Sequence, residues 1–378
     1  MITPDYYYII VGGGLAGLQL ALEIRKDIFF KGKKIAIIDP ALKDENDKTW
    51  CFWEEGSGKW DELIQKEWQQ GLFIADSVEK ELDFAPYSYK MLSSIDFYDY
   101  AKRELTKDPD TYFIQDEIIK IDEVTRTASG KKDSYTATHF FDSRPPHAYK
   151  DDSGSAKIYQ HFKGIYIETQ EAQFDPERFT MMDYRVMYRN STCFTYVLPL
   201  SPKNALVEFT FFTPFLTEEK VYDEQLEKYI REVLKIEDYS ITESETGVIP
   251  MTDYPFHQHN SKHVTKIGTA GGWVKASTGY SFKSAERKVS KMLSNIKSGK
   301  RPAQGLFSKR FQRYDAIFLD VLEKRNDLGE SLFTKFYTKN SIQNIFKFLD
   351  EETTFSEEIK IMQSMFHPQF LKSFFNKL

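Results

Sequence analysis

The chain has 378 residues and a mass of 44.3 kDa, which suits two domains at roughly 150 residues each. It carries 51 Lys and Arg against 57 Asp and Glu, and this net charge of −6 argues against general electrostatic capture of nucleic acid. Its two cysteines, Cys51 and Cys193, exclude a disulfide scaffold and a cysteine-rich metal site and are typical of a reducing cytoplasm.

The first elements of the chain have the order strand, helix, strand. Residues 6–11 (YYYIIV) predict a buried strand, residues 15–22 carry leucines at helical spacing, and residues 34–38 predict a second strand. This order favours a parallel sheet. The run 6–11 is far shorter than the roughly 20 residues of a spanning helix and lacks the flanks of a signal peptide. We therefore expect a cytoplasmic protein that does not cross a membrane on its own.

A dinucleotide-binding fingerprint lies in the turn between the first strand and the first helix. Gly12 permits a tight turn, Gly14 lets a pyrophosphate approach the backbone, and Gly17 lets helix and strand pack closely. Asp39 ends the second strand, where a carboxylate suits ribose hydroxyls. The pattern predicts a phosphate at the helix N-terminus. An ordinary glycine turn followed by a strand-end aspartate is the alternative.

A second glycine-rich turn lies far downstream, at residues 268–273, and a helix is predicted from about 280 to 297. Two such turns at opposite ends of a chain fit a flavoprotein that binds FAD, because the late helix N-terminus can stabilise negative charge on the flavin. Two unrelated glycine turns are the alternative. The residues predicted to contact FAD here are Gly271, Gly272, Ser277, Thr278, Gly279 and Tyr280.

The remaining segments extend this pattern into a second sheet and a helical C-terminus. We expect strands at 112–122, 135–142, 157–168, 192–199, 204–213 and 263–268. We expect helices at 96–105, 217–235, 307–350 and 355–376, and irregular structure at 40–95. The predicted fold class is α/β, with a Rossmann-type FAD-binding domain, an inserted, mostly antiparallel β substrate domain and C-terminal helices. The predicted boundaries are 1–60, 90–150 and 263–300 for the FAD-binding domain, 61–89 and 151–262 for the substrate domain, and 301–378 for the C-terminal helices.

Further stretches match one protein family in that family's own order. They are 48–53 (KTWCFW), 141–145 (FDSRP), 160–164 (QHFKG), 182–185 (MDYR), 198–202 (LPLSP), 206–208 (LVE), 247–251 (GVIPM) and 268–282 (GTAGGWVKASTGYSF). With these motifs the chain resembles the bacterial single-chain lycopene cyclases. The resemblance covers nearly the whole chain, including the C-terminal segments 310–322 and 346–355.

The resemblance implies a flavoprotein-monooxygenase-like fold that binds FAD non-covalently and uses it in the reduced form, with NAD(P)H as a candidate reductant. It implies lycopene or a related linear carotenoid as substrate and β-ionone rings in the product. The enzyme would be an isomerase, formally an intramolecular lyase, in carotenoid biosynthesis. The resemblance also implies peripheral association with a membrane surface.

The chemistry of such a cyclisation needs a proton donor in a dry, electron-rich cavity. Glu208 lies in an apolar strand, where burial would raise its pKa toward use in acid–base catalysis. The family usually has an acidic pair at this place, whereas here the neighbour is Phe209. Asp183, in MMDYR with Arg185, is a second catalytic candidate. Solvation of Glu208 and a structural ion pair of Asp183 are the alternatives.

The aromatic residues make up 15% of the chain, and most of them are expected in the core. Those within or beside the family motifs are expected to line a tunnel for the polyene, because aromatic faces stabilise cations. The predicted substrate-binding residues are Trp50, Phe52, Trp53, Phe209, Phe211 and Trp273.

Two other features invite a function. The pattern His257-x-His259-x3-His263 has metal-like spacing without a completing carboxylate or cysteine, so no metal is predicted. Residues 283–313 hold ten Lys and Arg with one acid, which suits either a solvated helix face or contact with anionic lipid. A redox flavoenzyme of the same fold, such as an FAD monooxygenase or prenyl reductase, and a non-catalytic carrier are the alternative functions.

Overall fold

The structure is a computed structural model that describes residues 4–76 and 78–376. Within these residues the strands are β1 (Tyr6–Val11), β2 (Ile35–Asp39), β3 (Thr49–Glu55), β4 (Lys66–Trp68), β5 (Gln70–Ala75), β6 (Val78–Asp83), β7 (Tyr87–Ser93), β8 (Thr111–Gln115), β9 (Ile118–Asp122), β10 (Thr127–Gly130), β11 (Ser134–Asp142), β12 (Lys157–Glu168), β13 (Arg178–Asp183), β14 (Cys193–Pro199), β15 (Asn204–Thr213), β16 (Ser240–Thr252) and β17 (Val264–Lys266). The α-helices are α1 (Leu15–Lys26), α2 (Ser94–Leu105), α3 (His147–Asp151), α4 (Glu219–Lys228), α5 (Phe282–Lys297), α6 (Lys309–Lys324), α7 (Gly329–Lys339), α8 (Ile342–Leu349), α9 (Phe355–Ser364) and α10 (Pro368–Asn376).

The first sheet contains the N-terminal strand–helix–strand unit. Its order is β8-β2-β1-β11-β10-β9, with β17 also paired to β11. The pairs among β8, β2, β1, β11 and β17 are parallel, whereas β9 and β10 extend the sheet in antiparallel fashion. Strand β1 is buried on both faces at Ile9 and Ile10, as expected for the centre of a parallel sheet. The predicted parallel sheet is therefore confirmed.

The second sheet has the order β16-β12-β15-β14-β13-β5-β6 and is antiparallel except at the β13–β5 pair. Strand β16 lies at its edge, and a register shift between Tyr166 and Ile167 marks a bulge in the β12–β16 pair. One face packs under α4 and the π-helical turn Tyr229–Val233 that continues it. The predicted strands 157–168, 192–199 and 204–213 are confirmed with shifts of one residue or less at their ends.

The expectation of irregular structure at 40–95 is wrong. This segment contains β3 to β7, and β3, β7 and β4 form a third sheet of their own. Strands β3 and β7 show no regular alternation of apolar and polar side chains, and β4 has only three residues, so the strand signal in the sequence is weak. Residues 112–122 also form two strands, β8 and β9, instead of one. The expected helices 96–105 and 280–297 are confirmed within two residues.

The C-terminal region is helical as predicted and divides into α6 to α10. Side chains of α6 to α9 pack with the second and third sheets in one hydrophobic core, whereas α1, α2 and α5 belong to the core of the first sheet. The structure therefore has an α/β part, a mostly antiparallel part and a helical part that borders the latter. The residue boundaries proposed above for the domains stay a prediction.

Candidate active site

The turn from β1 into α1 is built as its glycines require. Gly12 has a φ of +106°, which favours glycine. A Cβ at Gly17 would collide with the carbonyl oxygen of Gly12, so only glycine lets α1 pack this close to the strand. A Cβ at Gly14 would project into open space, and Gly14 is also the N-cap of α1. The first turn of α1 therefore offers free N–H groups to an anion.

Asp39 fastens this turn from the end of β2. Its Oδ2 accepts a hydrogen bond from the backbone N–H of Gly13 at 2.7 Å, and its Oδ1 accepts one from Ala41 at 2.8 Å. Each carboxylate oxygen has a second lone pair, so ribose hydroxyls can still donate to Asp39. Asp39 thus lies beside the glycine turn, outside the two cavities described below, and its role toward a ribose stays a prediction.

The late glycine turn faces the same cavity as the first. Gly268 and Thr269 lie beside α1, and the tight turn of residues 275–280 presents Thr278, Gly279 and Tyr280 to the cavity. Gly279 has a φ of +79°, and a Cβ there would collide with the amide oxygen of Gln160. The side chains of Ser143, Trp50 and Trp273 lie on the same cavity wall.

This cavity has a volume of about 630 Å³ and runs from the glycine turns to one face of the second sheet. Among the described residues, Thr278 Oγ1 and Gln160 Oε1 line it and are buried without a hydrogen-bond partner. An elongated cavity with a phosphate-type turn at one end and unsatisfied polar atoms inside fits a bound dinucleotide. The residues present therefore fit FAD.

Glu208 stands on the sheet face of the cavity. Alternation along β15 puts Leu206 and Glu208 on the cavity side, and the equivalent positions of β14 are Tyr196 and Leu198. Thr210 donates a hydrogen bond to Glu208 Oε1 at 2.6 Å. The placement agrees with the proton-donor position expected from the sequence.

A second carboxyl group, Glu245, faces Glu208 across the sheet. Gly164 of β12 pairs with Glu208 of β15 on one side and with Glu245 of β16 on the other. A Cβ at Gly164 would lie 3.3 Å from Glu245 Cγ and 3.5 Å from Glu208 Cβ. The missing side chain of Gly164 therefore leaves the two carboxyl groups facing each other over a bare backbone.

The two carboxyl groups change each other's acidity. Burial, followed by the negative charge of Glu245, raises the pKa of Glu208 to about 8, although the Thr210 hydroxyl opposes this shift. Burial also raises the pKa of Glu245, opposed by a hydrogen bond from Thr49 at 2.7 Å and by the charge of Lys48. Glu208 is therefore protonated at neutral pH and can act as an acid.

Aromatic hydroxyls surround the carboxyl pair. Tyr89 and Tyr280 form a hydrogen bond of 2.9 Å between their hydroxyls, and Tyr196 lies beside them on the cavity wall. Burial raises the pKa of all three phenols, so they stay neutral. Neutral electron-rich rings next to an acid suit a reaction that forms a cation.

The structure does not bring Asp183 to this cavity. Its carboxylate is fully buried, forms an ion pair with Arg185 and accepts a hydrogen bond from the hydroxyl of Tyr229 at 2.7 Å. Within the described chain, neither Asp183 nor Arg185 lines a cavity that we identify. Asp183 and Arg185 therefore form a local structural ion pair at the end of β13, which the Tyr229 hydroxyl ties to the helical turn.

Phe209 and Phe211 are also turned away from the cavity. They alternate with Glu208 along β15, and both are fully buried beneath α4 and the following helical turn. A residue next to Glu208 in the chain cannot share its face of the sheet. A second carboxyl group at position 209 would thus point away from the cavity.

A second cavity of about 510 Å³ adjoins the first and takes four other predicted residues. Phe52, Trp53, Gly271 and Gly272 line this second cavity. Thr278 and Tyr280 border both cavities. Ser277 is buried and hydrogen-bonds Asp315, so it lies on neither wall.

Glu245, Gly164 and the tyrosines Tyr89 and Tyr196 were not predicted as site residues. Glu245 is part of a charged run that resembles a solvated segment, and its strand β16 was not foreseen. A glycine in the middle of the aromatic strand QHFKG is the one local signal, because glycine weakens a strand and often marks a close approach.

The described residues contain no group of three His, Cys, Asp or Glu side chains arranged to hold a metal ion. Over the same residues, no helix combines the length and apolar character needed to cross a bilayer.

The fold is shared with proteins of known structure, among them two that are described as flavin-dependent or as a flavoprotein. The flavin-dependent brominase Bmp2 is 14% identical with a TM-score of 0.59, over 95% of this chain and 93% of that one. A geranylgeranyl bacteriochlorophyll reductase-like protein from Thermoplasma acidophilum is 13% identical with a TM-score of 0.60, over 99% of each chain. A flavoprotein/dehydrogenase from Cytophaga hutchinsonii is 12% identical with a TM-score of 0.60, over 95% of this chain and 98% of that one. The predicted flavoprotein-like α/β fold is therefore confirmed.

No curated protein sequence matches the chain significantly. The sequence profile described as "Lycopene cyclase protein" matches residues 8–374, which is nearly the whole chain. Both glycine turns and both carboxyl groups fall within that match. The chain belongs to the lycopene cyclase family.

Proposed function

We propose that this protein is a lycopene β-cyclase, an isomerase that closes the linear ends of lycopene into β-ionone rings. The observation that carries the proposal is the position of Glu208. Its carboxyl group keeps a proton at neutral pH and lies in the cavity that both glycine turns enter. Family membership supports a carotenoid as the substrate.

The proposed reaction begins with proton transfer from Glu208 to the terminal double bond of the polyene. The resulting tertiary cation is attacked by the next double bond along the chain, which closes a six-membered ring. Loss of an adjacent proton then forms the ring double bond. The aromatic side chains of Tyr196 and Tyr280, which lie near Glu208, would face the cation, each worth about 0.5–2 kcal/mol once water is excluded.

FAD is the proposed cofactor, and NAD(P)H its proposed reductant. The backbone at Gly12 and Gly14 with the start of α1 would hold the pyrophosphate, Asp39 the ribose, and the turn at Thr278 to Tyr280 the ring system. Reduced flavin would supply negative charge close to the developing cation. Flavin-dependent proteins of the same fold support this assignment.

Peripheral contact with a membrane on its cytoplasmic side is also proposed, because the substrate is a lipid. The basic segment 283–313 is partly neutralised, since several of its cations form ion pairs with acids from other elements. Exposed apolar side chains instead gather at the C-terminal helices, namely Phe355, Phe366, Leu371, Phe374 and Phe375.

We expect the double variant Phe374→Ser with Phe375→Ser to lower co-sedimentation with anionic phospholipid vesicles several-fold. Unchanged co-sedimentation would contradict the proposal that these side chains contact the membrane.

The test of the function is expression in cells that accumulate lycopene, followed by pigment chromatography. Cyclic carotenoids are expected with the wild-type chain and lycopene alone with Glu208→Gln. Glu168→Gln, an exposed glutamate on the neighbouring strand, is the matched control and should give the wild-type pigments. Persistent lycopene beside folded, FAD-loaded wild-type protein would overturn the proposal.

A redox flavoenzyme acting on an isoprenoid is the second candidate, favoured by the fold shared with the geranylgeranyl bacteriochlorophyll reductase-like protein. Redox stoichiometry separates the two. Cyclisation should proceed without oxygen and without one NAD(P)H consumed per turnover, once the flavin is reduced. Activity with oxidised FAD alone would contradict the reduced-flavin part of the proposal.

A further inference from the structure

The partner of Glu208 comes from a distant strand instead of the neighbouring position. Glu208 and Glu245 belong to strands that are not paired with each other, and β12 runs between them. Both pair with the same residue, Gly164, and both line the same cavity. Side chains directly across one intervening strand stand about two strand spacings apart, and long side chains such as glutamate can bridge that gap.

We propose that Glu245 is the second catalytic carboxyl group of this site, the base that accepts the proton lost on ring closure, and that Gly164 is the positioning residue that keeps it facing Glu208. This inference rests on the proposed cyclase function and assigns the base of that same site.

The contacts of Glu245 are those of a carboxylate held ready as a base. Tyr166 and Thr49 share a hydrogen bond of 2.8 Å between their hydroxyls, and Thr49 then donates to Glu245 Oε2 at 2.7 Å. Because the Thr49 proton is committed to Glu245, the Tyr166 hydroxyl donates to Thr49. This chain of donors favours the ionised form of Glu245.

The shared environment makes the two groups unequal. Two carboxyl groups this close retain one proton between them, because both cannot ionise at low cost. The Thr49 bond and the nearby ammonium of Lys48 favour charge on Glu245, which leaves the proton on Glu208. The other titratable or charged groups that influence the pair are Cys51, Tyr196, Tyr280 and Glu243.

The proton balance of the reaction then closes within the pair. The O–H bond of Glu208 breaks as a C–H bond forms at the less substituted carbon of the terminal alkene, which leaves the tertiary cation on the other carbon. The π electrons of the next double bond then form the new C–C bond of the ring and leave the positive charge on a ring carbon. A ring C–H bond then breaks, its electron pair becomes the ring double bond, and the proton bonds to Glu245. Transfer of this proton from Glu245 to Glu208 over Gly164 restores the starting state, with no net oxidation or reduction.

The test compares purified, FAD-loaded variants with reduced flavin and lycopene in phospholipid vesicles. We expect Glu245→Gln to lower kcat about 10²–10³-fold, with FAD affinity and melting temperature close to wild type. Glu245→Asp should recover part of the rate, and Glu168→Gln should match wild type. Thr49→Val should move the acidic limb of the pH profile to higher pH, because it removes the bond that favours the ionised base.

Gly164→Ala tests the positioning role. Its Cβ would lie 2.9 Å from Leu206 Cδ1 and 3.3 Å from Glu245 Cγ, so both side chains must move. With Glu245 displaced from Glu208, we expect the pKa of Glu208 to fall. We expect a lower kcat together with an alkaline limb displaced to lower pH, at unchanged FAD affinity. If Gly164 had only a structural role, Gly164→Ala would lower the melting temperature and the rate, but the alkaline limb of the pH–rate profile would stay at the wild-type pH.

The outcomes separate the two proposals. A fully active Glu245→Gln beside an inactive Glu208→Gln would overturn this inference alone. A wild-type protein that does not cyclise lycopene would overturn the proposed function and this inference with it. If Glu245→Gln fails to bind FAD, the pH–rate profiles of Thr49→Val and Gly164→Ala become the test. Profiles with both limbs at the wild-type pH would overturn the assignment of Glu245 as the base.

Discussion

The glycine turn and the carboxyl pair lie in one cavity, yet they are built in opposite ways. The turn is local and made of backbone, because Gly12, Gly14 and Gly17 act within six residues of one another. The pair is non-local and made of side chains, brought together by β15, β12 and β16. A backbone site depends on the absence of side chains, whereas a side-chain site depends on the register of the strands that carry it.

The difference predicts different failures. A substitution in the glycine turn should mainly lower FAD affinity and stability, because the backbone there both binds the cofactor and packs helix α1 against the sheet. A substitution in the carboxyl pair should mainly lower the reaction rate, because both side chains line a cavity and contribute little to the hydrophobic core. Three experiments probe this contrast.

The largest expected effect is on the rate of Glu208→Gln. The amide retains the size of the side chain but cannot give up a proton, so kcat should fall about 10²–10⁴-fold. FAD affinity should stay within a factor of two or so, because Glu208 is at the sheet end of the cavity. Single-turnover assays with reduced, FAD-loaded protein measure the rate, and flavin fluorescence titration measures the affinity. A loss of FAD binding in Glu208→Gln would contradict the prediction that the carboxyl pair affects the rate and not cofactor affinity.

The next effect divides the glycines of the turn between packing and binding. Gly17→Ala should destabilise even the protein without FAD by about 1–3 kcal/mol, because its Cβ meets the Gly12 carbonyl oxygen. Gly14→Ala should leave that stability almost unchanged, since its Cβ meets open space, and should weaken FAD binding about tenfold or more. Denaturant unfolding and flavin fluorescence titration are the measurements. Equal stability losses in both variants would contradict this division.

The smallest effect is the pH dependence of stability due to Glu208. Its folded pKa of about 8 exceeds the ordinary value of 4.5 for an unfolded chain. The folded state therefore binds more protons between these values, so the contribution is complete below pH 4.5 and is lost as the pH rises through 8. Relative to Glu208→Gln, wild type should lose about 1–3 kcal/mol of unfolding free energy from pH 6 to pH 8. If the difference in unfolding free energy between the two proteins does not change with pH, the pKa of Glu208 is that of a solvent-exposed carboxyl group.

The same contrast explains what could be predicted from the sequence. The turn at Gly12 to Gly17, with Asp39 after it, is a short-range pattern, and the structure brings these residues together as expected. Glu208 was predictable because its own strand is apolar. Glu245 was not, because pairing through Gly164 depends on two long-range registers that no local pattern encodes. An acidic residue at position 209 would not identify the second carboxyl group of the site either, because position 209 faces the opposite side of the sheet.

The fold shows a similar division. Strands β1, β2 and β11 of the first sheet and helices α2 and α5 follow clear sequence patterns, and their predicted positions are close to those observed. The segment 40–95 escaped prediction because β3 and β7 lack a regular alternation of apolar and polar residues and because its strands pair with distant segments, as in the parallel β13–β5 pair. Asp183 looked catalytic from its motif, yet its environment shows an ion pair, which only the fold reveals.

Strand β16 has one neighbour and therefore borders solvent along its other edge. Sliding it by a single residue would turn Glu245 out of the cavity and bring Ser244 or Thr246 in its place. The bulge opposite Tyr166 and the bond from Thr49 oppose such a slip. Insertions and deletions of one residue should therefore be rare between 240 and 252 among homologous chains, whereas the exposed turn near Val124 can vary in length.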